Sequence, residues 1–104
     1  MQTPIIVFIS YASLDINNFQ IPKFVEILEP KIKKVFYWHR DTKLGQTFDE
    51  YMVTNIQKSD LLILFCSENT QNSQPVNQEI GMAKMAKKPI VPIFINRNDI
   101  PEDL

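Results

Sequence analysis

The chain has 104 residues, 44% of them apolar, which is enough for one core in a single domain. Its 11 lysines and arginines against 12 acidic residues leave a net charge of −1 and a pI near 5.7, so it has no basic footprint for nucleic acid or anionic lipid. The single cysteine, Cys66, excludes an internal disulfide framework, and the longest apolar runs are about half of the roughly 20 residues that a membrane helix needs.

The opening Met1-Gln2-Thr3-Pro4 does not lead from a basic segment into a long apolar one, so no signal peptide is expected. With a lone cysteine suited to a reducing compartment, a cytoplasmic domain away from membranes is the default. Ile5 to Ser10 is a β-branched and aromatic run that predicts a strand buried on both faces, as in a parallel sheet. A polar turn follows from Tyr11 to Asn18. Ile21, Phe24, Val25 and Leu28 then recur at helical spacing, with Pro22 suited to the first turn and Pro30 ending the helix. Val35 to Trp38 predicts a second short strand and His39 to Gln46 a polar loop, in which His39 reads as a solvated residue.

Thr47 and Glu50 have the spacing of a capping box, and Phe48, Tyr51, Met52 and Ile56 form one helical face behind it. Leu61 to Ser67 is the most apolar strand, with Cys66 expected as a small buried residue. A loop from Glu68 to Ser73 precedes a helix running to about Lys87, whose Lys84, Lys87 and Lys88 suit the negative end of a helix dipole and read as a solvated end. Ile90 to Ile95 predicts a fourth strand, placed at an edge or a bulge by Pro92. Strands alternate with helices, without repeats, which predicts a parallel sheet covered on both faces. Such sheets usually have five or more strands, so a fifth strand and a last helix are expected to be missing after Asn96 to Leu104.

Glu79 stands out. On its helix Val76, Met82, Ala83 and Ala86 share its face, and a carboxylate inside an apolar stripe costs stability unless it is paired or faces a cavity. With strands in the order 2-1-3-4, ligands bind at the carboxyl ends between strands one and three, where the loops Ser10 to Asp15 and Ser67 to Ser73 meet. Glu79 lies about a turn and a half into the following helix and leans toward that crevice. Only Gly45 and Gly81 are glycine, so no glycine-rich phosphate loop is present. One histidine and one cysteine far apart argue against a metal site. A lone carboxylate in a cleft is compatible with cleaving a glycosidic bond to a leaving group that departs unaided. Spacing permits that reaction without singling it out. Taken alone, Glu79 also reads as a structural acid, Tyr11 and Phe48 as core aromatics, and Ser13 and Asp15 as turn-formers.

Three stretches resemble the TIR (Toll/interleukin-1 receptor) domain family over nearly the whole chain. Phe8-Ile9-Ser10-Tyr11-Ala12-Ser13-Leu14-Asp15 is similar to the family's F-I-S-Y-x-x-x-D. Arg40-Asp41-Thr42-Lys43-Leu44-Gly45 is similar to R-D-x-x-P-G, with Leu44 in place of the proline. Ser73 to Glu79 resembles S-x-W-[CV]-x-x-E, with Pro75 in place of the tryptophan. The resemblance implies a flavodoxin-like three-layer α/β sandwich of prokaryotic TIR type spanning residues 1–104. It also implies one of two functions. Many members cleave NAD+ to nicotinamide and ADP-ribose or a cyclic form, often in immune, antiphage or cell-death responses; others only assemble through TIR–TIR contacts. By the same resemblance Glu79 would be catalytic, Ser10, Tyr11, Ala12, Ser13 and Phe48 would border the substrate, and Arg40, Asp41 and Gly45 would belong to a mobile interface loop. NAD+ would be the substrate, with no metal or helper cofactor, and other TIR domains would be the partners. An N-glycosidase acting on a different base shares the carboxylate logic and stays open.

Overall fold

The computed structural model describes residues 2–41, 45–102 and 104. Strands β1 (Thr3–Ser10), β2 (Ile32–Phe36), β3 (Leu61–Cys66) and β4 (Ile90–Phe94) form a parallel sheet in the order β2-β1-β3-β4. The helices are α1 (Ile21–Leu28), a short helical turn α2 (Trp38–Asp41), α3 (Phe48–Lys58) and α4 (Gln74–Met85). The expected parallel α/β architecture and strand order are therefore present.

Alternation along β1 divides the core. Val7 and Ile9 pack with Ile21 and Val25 of α1, whereas Phe8 packs with Tyr51, Met52 and Ile56 of α3 and with Val76, Ile80 and Ala83 of α4. Ser10 shares the parity of Phe8 and so faces α3 and α4. Local chemistry sets the starts of α3 and α4 and the end of α4. The Thr47 hydroxyl accepts the Glu50 amide at 3.1 Å, and the Ser73 hydroxyl accepts the Val76 amide at 3.4 Å, just ahead of Pro75 in the first turn. At the far end of α4, Lys87 takes the left-handed conformation at φ 57°, and the Lys88 amide reaches back to the Ala83 carbonyl at 2.8 Å.

The second strand differs from the expectation at both ends. It begins at Ile32 and stops at Phe36, and Trp38 and His39 lie in α2 rather than in a strand or a loop. Bonds from within the chain close this turn: the Asp41 carboxylate accepts the Tyr37 amide at 2.9 Å, and the Asp41 amide donates to the Tyr37 carbonyl at 3.1 Å. β4 pairs with β3 alone and holds Pro92 opposite Leu64, the edge position that its proline predicts. No helix among the described residues is long and apolar enough to cross a membrane.

Candidate functional site

β1 ends in the order Ser10, Tyr11, Ala12, and α4 brings Glu79 across to it. The Ser10 hydroxyl donates to Glu79 Oε1 at 2.8 Å, and both residues are buried, Glu79 at 4% exposure. Ser10 is the hydrogen-bond partner of Glu79 among the described residues. No buried side-chain nitrogen or oxygen among the described residues is left without a partner. Glu79 lines a cavity of about 170 Å³ together with Ile9, Tyr11, Ser13, Trp38, His39, Phe48 and Pro75.

The walls are mostly rings. Trp38 meets Phe48 edge-on at 5.4 Å and Tyr51 at 5.2 Å between centroids. Tyr11 stacks on His39 at 5.4 Å, and its hydroxyl bonds to His39 Nδ1. Burial pushes the Glu79 carboxyl up to about 8, against a smaller lowering by the Ser10 hydroxyl, so at neutral pH it is mostly protonated. Desolvation likewise raises the Tyr11 hydroxyl and keeps it neutral. The Cys66 thiol is pushed up to about 11 by burial, and with it buried in the core Cys66 is an inert packing residue.

Tyr11, Ser13, Phe48 and Glu79 are thus brought together, with Ser10 behind Glu79. Ala12 is not: it is buried in the core beside α3 and α4 and does not line the cavity. Asp15 belongs to a different cluster, in which its buried carboxylate accepts Asn18 at 3.1 Å, Asn69 at 2.9 Å and the Ser67 hydroxyl. That cluster ties the loops after β1 and β3 to each other. No residue of the loop after β3 lines the Glu79 cavity, which is instead walled by the end of β1, by α2 and by the starts of α3 and α4. The loops after β1 and β3 line a separate pocket with Asp15, Asn18, Ser67 and Asn69, so the Glu79 cavity is distinct from the crevice expected between strands one and three. Trp38 and His39 are the site residues that sequence reasoning missed. The available signal was their place directly after β2, at the carboxyl edge of the sheet where such sites form.

Arg40 and Asp41 are engaged inside the chain. Arg40 pairs with Glu29 at 2.6 Å and Asp41 at 2.9 Å, and donates to the Val35 carbonyl at 2.7 Å; Asp41 accepts the Tyr51 hydroxyl at 2.7 Å. Gly45 is exposed with φ 83°, a conformation that favours glycine. Residues 42–44, the middle of the expected interface loop, lie outside the described residues.

Comparison with known proteins bears on this geometry. The family profile described as TIR domain matches residues 7–104. The fold is similar to the TIR domain of the Toll-related receptor TRR-2 from Hydra magnipapillata, with a TM-score of 0.79 and 26% identity over 94% of this chain and 76% of that one. It is also similar to the TIR domains of the activated Roq1 resistosome that recognises the effector XopQ, with a TM-score of 0.69 and 21% identity over 86% of this chain and 57% of that one. A search of curated protein sequences returned no match.

Proposed function

The chain belongs to the TIR domain family, whose members are NAD+-cleaving enzymes or signalling scaffolds, and we propose that this one is an NAD+ nucleosidase with Glu79 as its catalytic residue. The observation that carries the reading is the buried Glu79 carboxyl, bonded to the Ser10 hydroxyl and lining a ring-walled cavity. Its protein partner is one neutral hydroxyl, which leaves acceptor capacity on the carboxyl for a ligand. At about 170 Å³ the cavity suits one aromatic ring rather than a dinucleotide, so the pyridine end of NAD+ enters and the remainder lies outside.

In this reading the ionised Glu79 grips the hydroxyls of the nicotinamide ribose and offsets positive charge on the sugar as the bond breaks. The bonding pair leaves with nicotinamide, which needs no general acid because it departs from a cationic ring. Water, or an atom of the ADP-ribose, then attacks the sugar carbon, giving the linear or the cyclic product. Ser10 is a positioning residue that fixes the carboxyl rotamer. Trp38, Tyr11 and Phe48 hold the ring and exclude water. TIR domains commonly self-associate, and we include self-association in the proposal as a requirement for activity.

The test is nicotinamide release from NAD+ at high protein concentration, with Glu79→Ala and Glu79→Gln as controls. Release abolished in both variants supports the reading; release unchanged in them removes Glu79 from the chemistry. The likeness to the TIR domain of a Toll-related receptor supports a second reading, a non-enzymatic TIR–TIR interaction module. Folded, concentrated protein that self-associates and releases no nicotinamide would favour it.

A further inference from the structure

A second, larger opening lies on the other side of α3. β2 is an edge strand, and α3 packs through Tyr51, Met52 and Ile56 on Phe8 of β1 and on Leu62 and Leu64 of β3. The register sets Lys34 beside Ile6 and Phe36 beside Phe8, so both side chains stand on the α3 face of β2. Between them and α3 runs a groove of about 860 Å³, within the ~300–1,000 Å³ typical of small-molecule sites. It shares no lining residue with the Glu79 cavity.

Three side chains in this groove are unspent. Asn55 is 9% exposed and lines it, yet the Asn55 side-chain amide has no hydrogen-bond partner among the described residues. Outside the helix ladder Asn55 bonds through its backbone carbonyl, which accepts the Ser59 hydroxyl at 2.7 Å. A buried amide is ordinarily paired, and one that faces a groove is completed from outside the chain. Lys34 and Lys58 line the same groove, and neither has an ion pair among the described residues; the Lys34 ammonium lies 5.3 Å from the centre of the Phe36 ring. The other charges nearby are engaged. Arg40 is bound to Glu29 and Asp41, Asp41 also accepts the Tyr37 amide and the Tyr51 hydroxyl, and Asp60 accepts the Ile6 amide at 2.7 Å.

We propose that this groove binds a phosphomonoester of nucleotide size, with its phosphate on Lys34 and Lys58 and a nucleobase edge on Asn55. Two free ammonium groups match the charge of about −1.5 to −2 that a phosphomonoester carries at neutral pH. A carboxylate would leave one of them unmatched. The Asn55 amide offers a donor and an acceptor side by side, the pair that an adenine edge accepts bidentately. Neither half of the ligand suffices: phosphate alone leaves the buried amide unpaired, and a nucleoside leaves the lysines unmatched. Binding here involves no bond cleavage and does not depend on the nucleosidase reading.

The probes are adenosine 5′-monophosphate, adenosine and inorganic phosphate, titrated by calorimetry against the whole chain. The nitrogen-15 resonance of the Asn55 side-chain amide, assigned by its absence from Asn55→Asp, reports the place of binding. The monophosphate should bind at least ~10-fold tighter than either fragment, shift that resonance, and weaken as salt rises. Lys34→Ala combined with Lys58→Ala changes exposed side chains and should cost the monophosphate ~10-fold or more while leaving adenosine unchanged. Asn55→Asp, of the same shape, sets a carboxylate against the phosphate and should weaken the monophosphate by at least as much. Glu79→Gln should leave its binding unchanged. Inorganic phosphate binding as tightly as the monophosphate, an Asn55 resonance that does not move, affinity indifferent to the two lysines, or affinity lost in Glu79→Gln would each overturn the proposal.

Discussion

Asp15 and Glu79 are both buried carboxyls near the carboxyl end of β1, at 0% and 4% exposure, yet they are built for opposite ends. Asp15 accepts from Asn18, Ser67 and Asn69 and ties two loops together. Among the described residues Glu79 accepts from Ser10, and it lines a cavity. On the proposed nucleosidase reading, burial does not separate a structural acid from a reactive one. The number of donors the fold supplies does, because a saturated carboxylate has nothing left to offer a ligand and an undersupplied one stores its need for charge.

The largest test of that contrast is on turnover. Glu79→Gln should lower nicotinamide release by about 1,000-fold or more, on the order of 4 kcal/mol of transition-state stabilisation, in a discontinuous assay of NAD+ cleavage. The protein should stay folded. A comparable loss from Asp15→Asn with folding intact would erase the distinction between the two acids.

Next comes stability against pH. Between about 4.5 and about 8 an unfolded Glu79 has ionised while the folded one keeps its proton. The unfolded state binds fewer protons there, so this group's contribution to stability falls as pH rises through that window and is level above it. The difference between the wild type and Glu79→Gln in urea unfolding should grow by on the order of 3–5 kcal/mol across it, in favour of glutamine at alkaline pH. A pH-independent difference would mean that Glu79 is already ionised and paired.

Asp15→Ala should cost about 3 kcal/mol of unfolding free energy, since it strands the amides of Asn18 and Asn69 and the Ser67 hydroxyl. Activity per folded molecule should be unchanged. Ser10→Ala removes the bond that lowers the Glu79 carboxyl, so the rise of kcat/KM with pH should move upward from about 8 by roughly one unit. The smallest effect concerns neither acid: Lys87→Gly should add about 0.5–1 kcal/mol of stability, because glycine accepts φ 57° without a Cβ clash. It serves as a control that stabilises α4 without moving nicotinamide release.

Sequence periodicity carried far in this chain. The strand order, the apolar face of α3 and the place of Glu79 on α4 follow from patterns repeated over several turns or alternations. Trp38 and His39 did not follow, because four residues of helix are too short for a period and α2 is closed by the Asp41 carboxylate and amide on Tyr37. Asp15 read correctly as a turn-former, but its donors at Ser67 and Asn69 come from more than 50 residues away and no local rule supplies them. The α2 wall of the Glu79 cavity was missed together with that short helix, while the loops after β1 and β3 line a pocket of their own.

Pro92 has a consequence for the far side of the sheet. The Leu62 amide bonds the Pro89 carbonyl at 2.9 Å, so in the alternation of a parallel ladder residues 89, 91 and 93 address β3 and residue 92 addresses the outside. The outer rim of β4 can donate from Ile90 and Phe94 but is silent between them. Any chain that zips onto that rim meets a missing rung in mid-strand, and a long uniform addition is penalised relative to a short one.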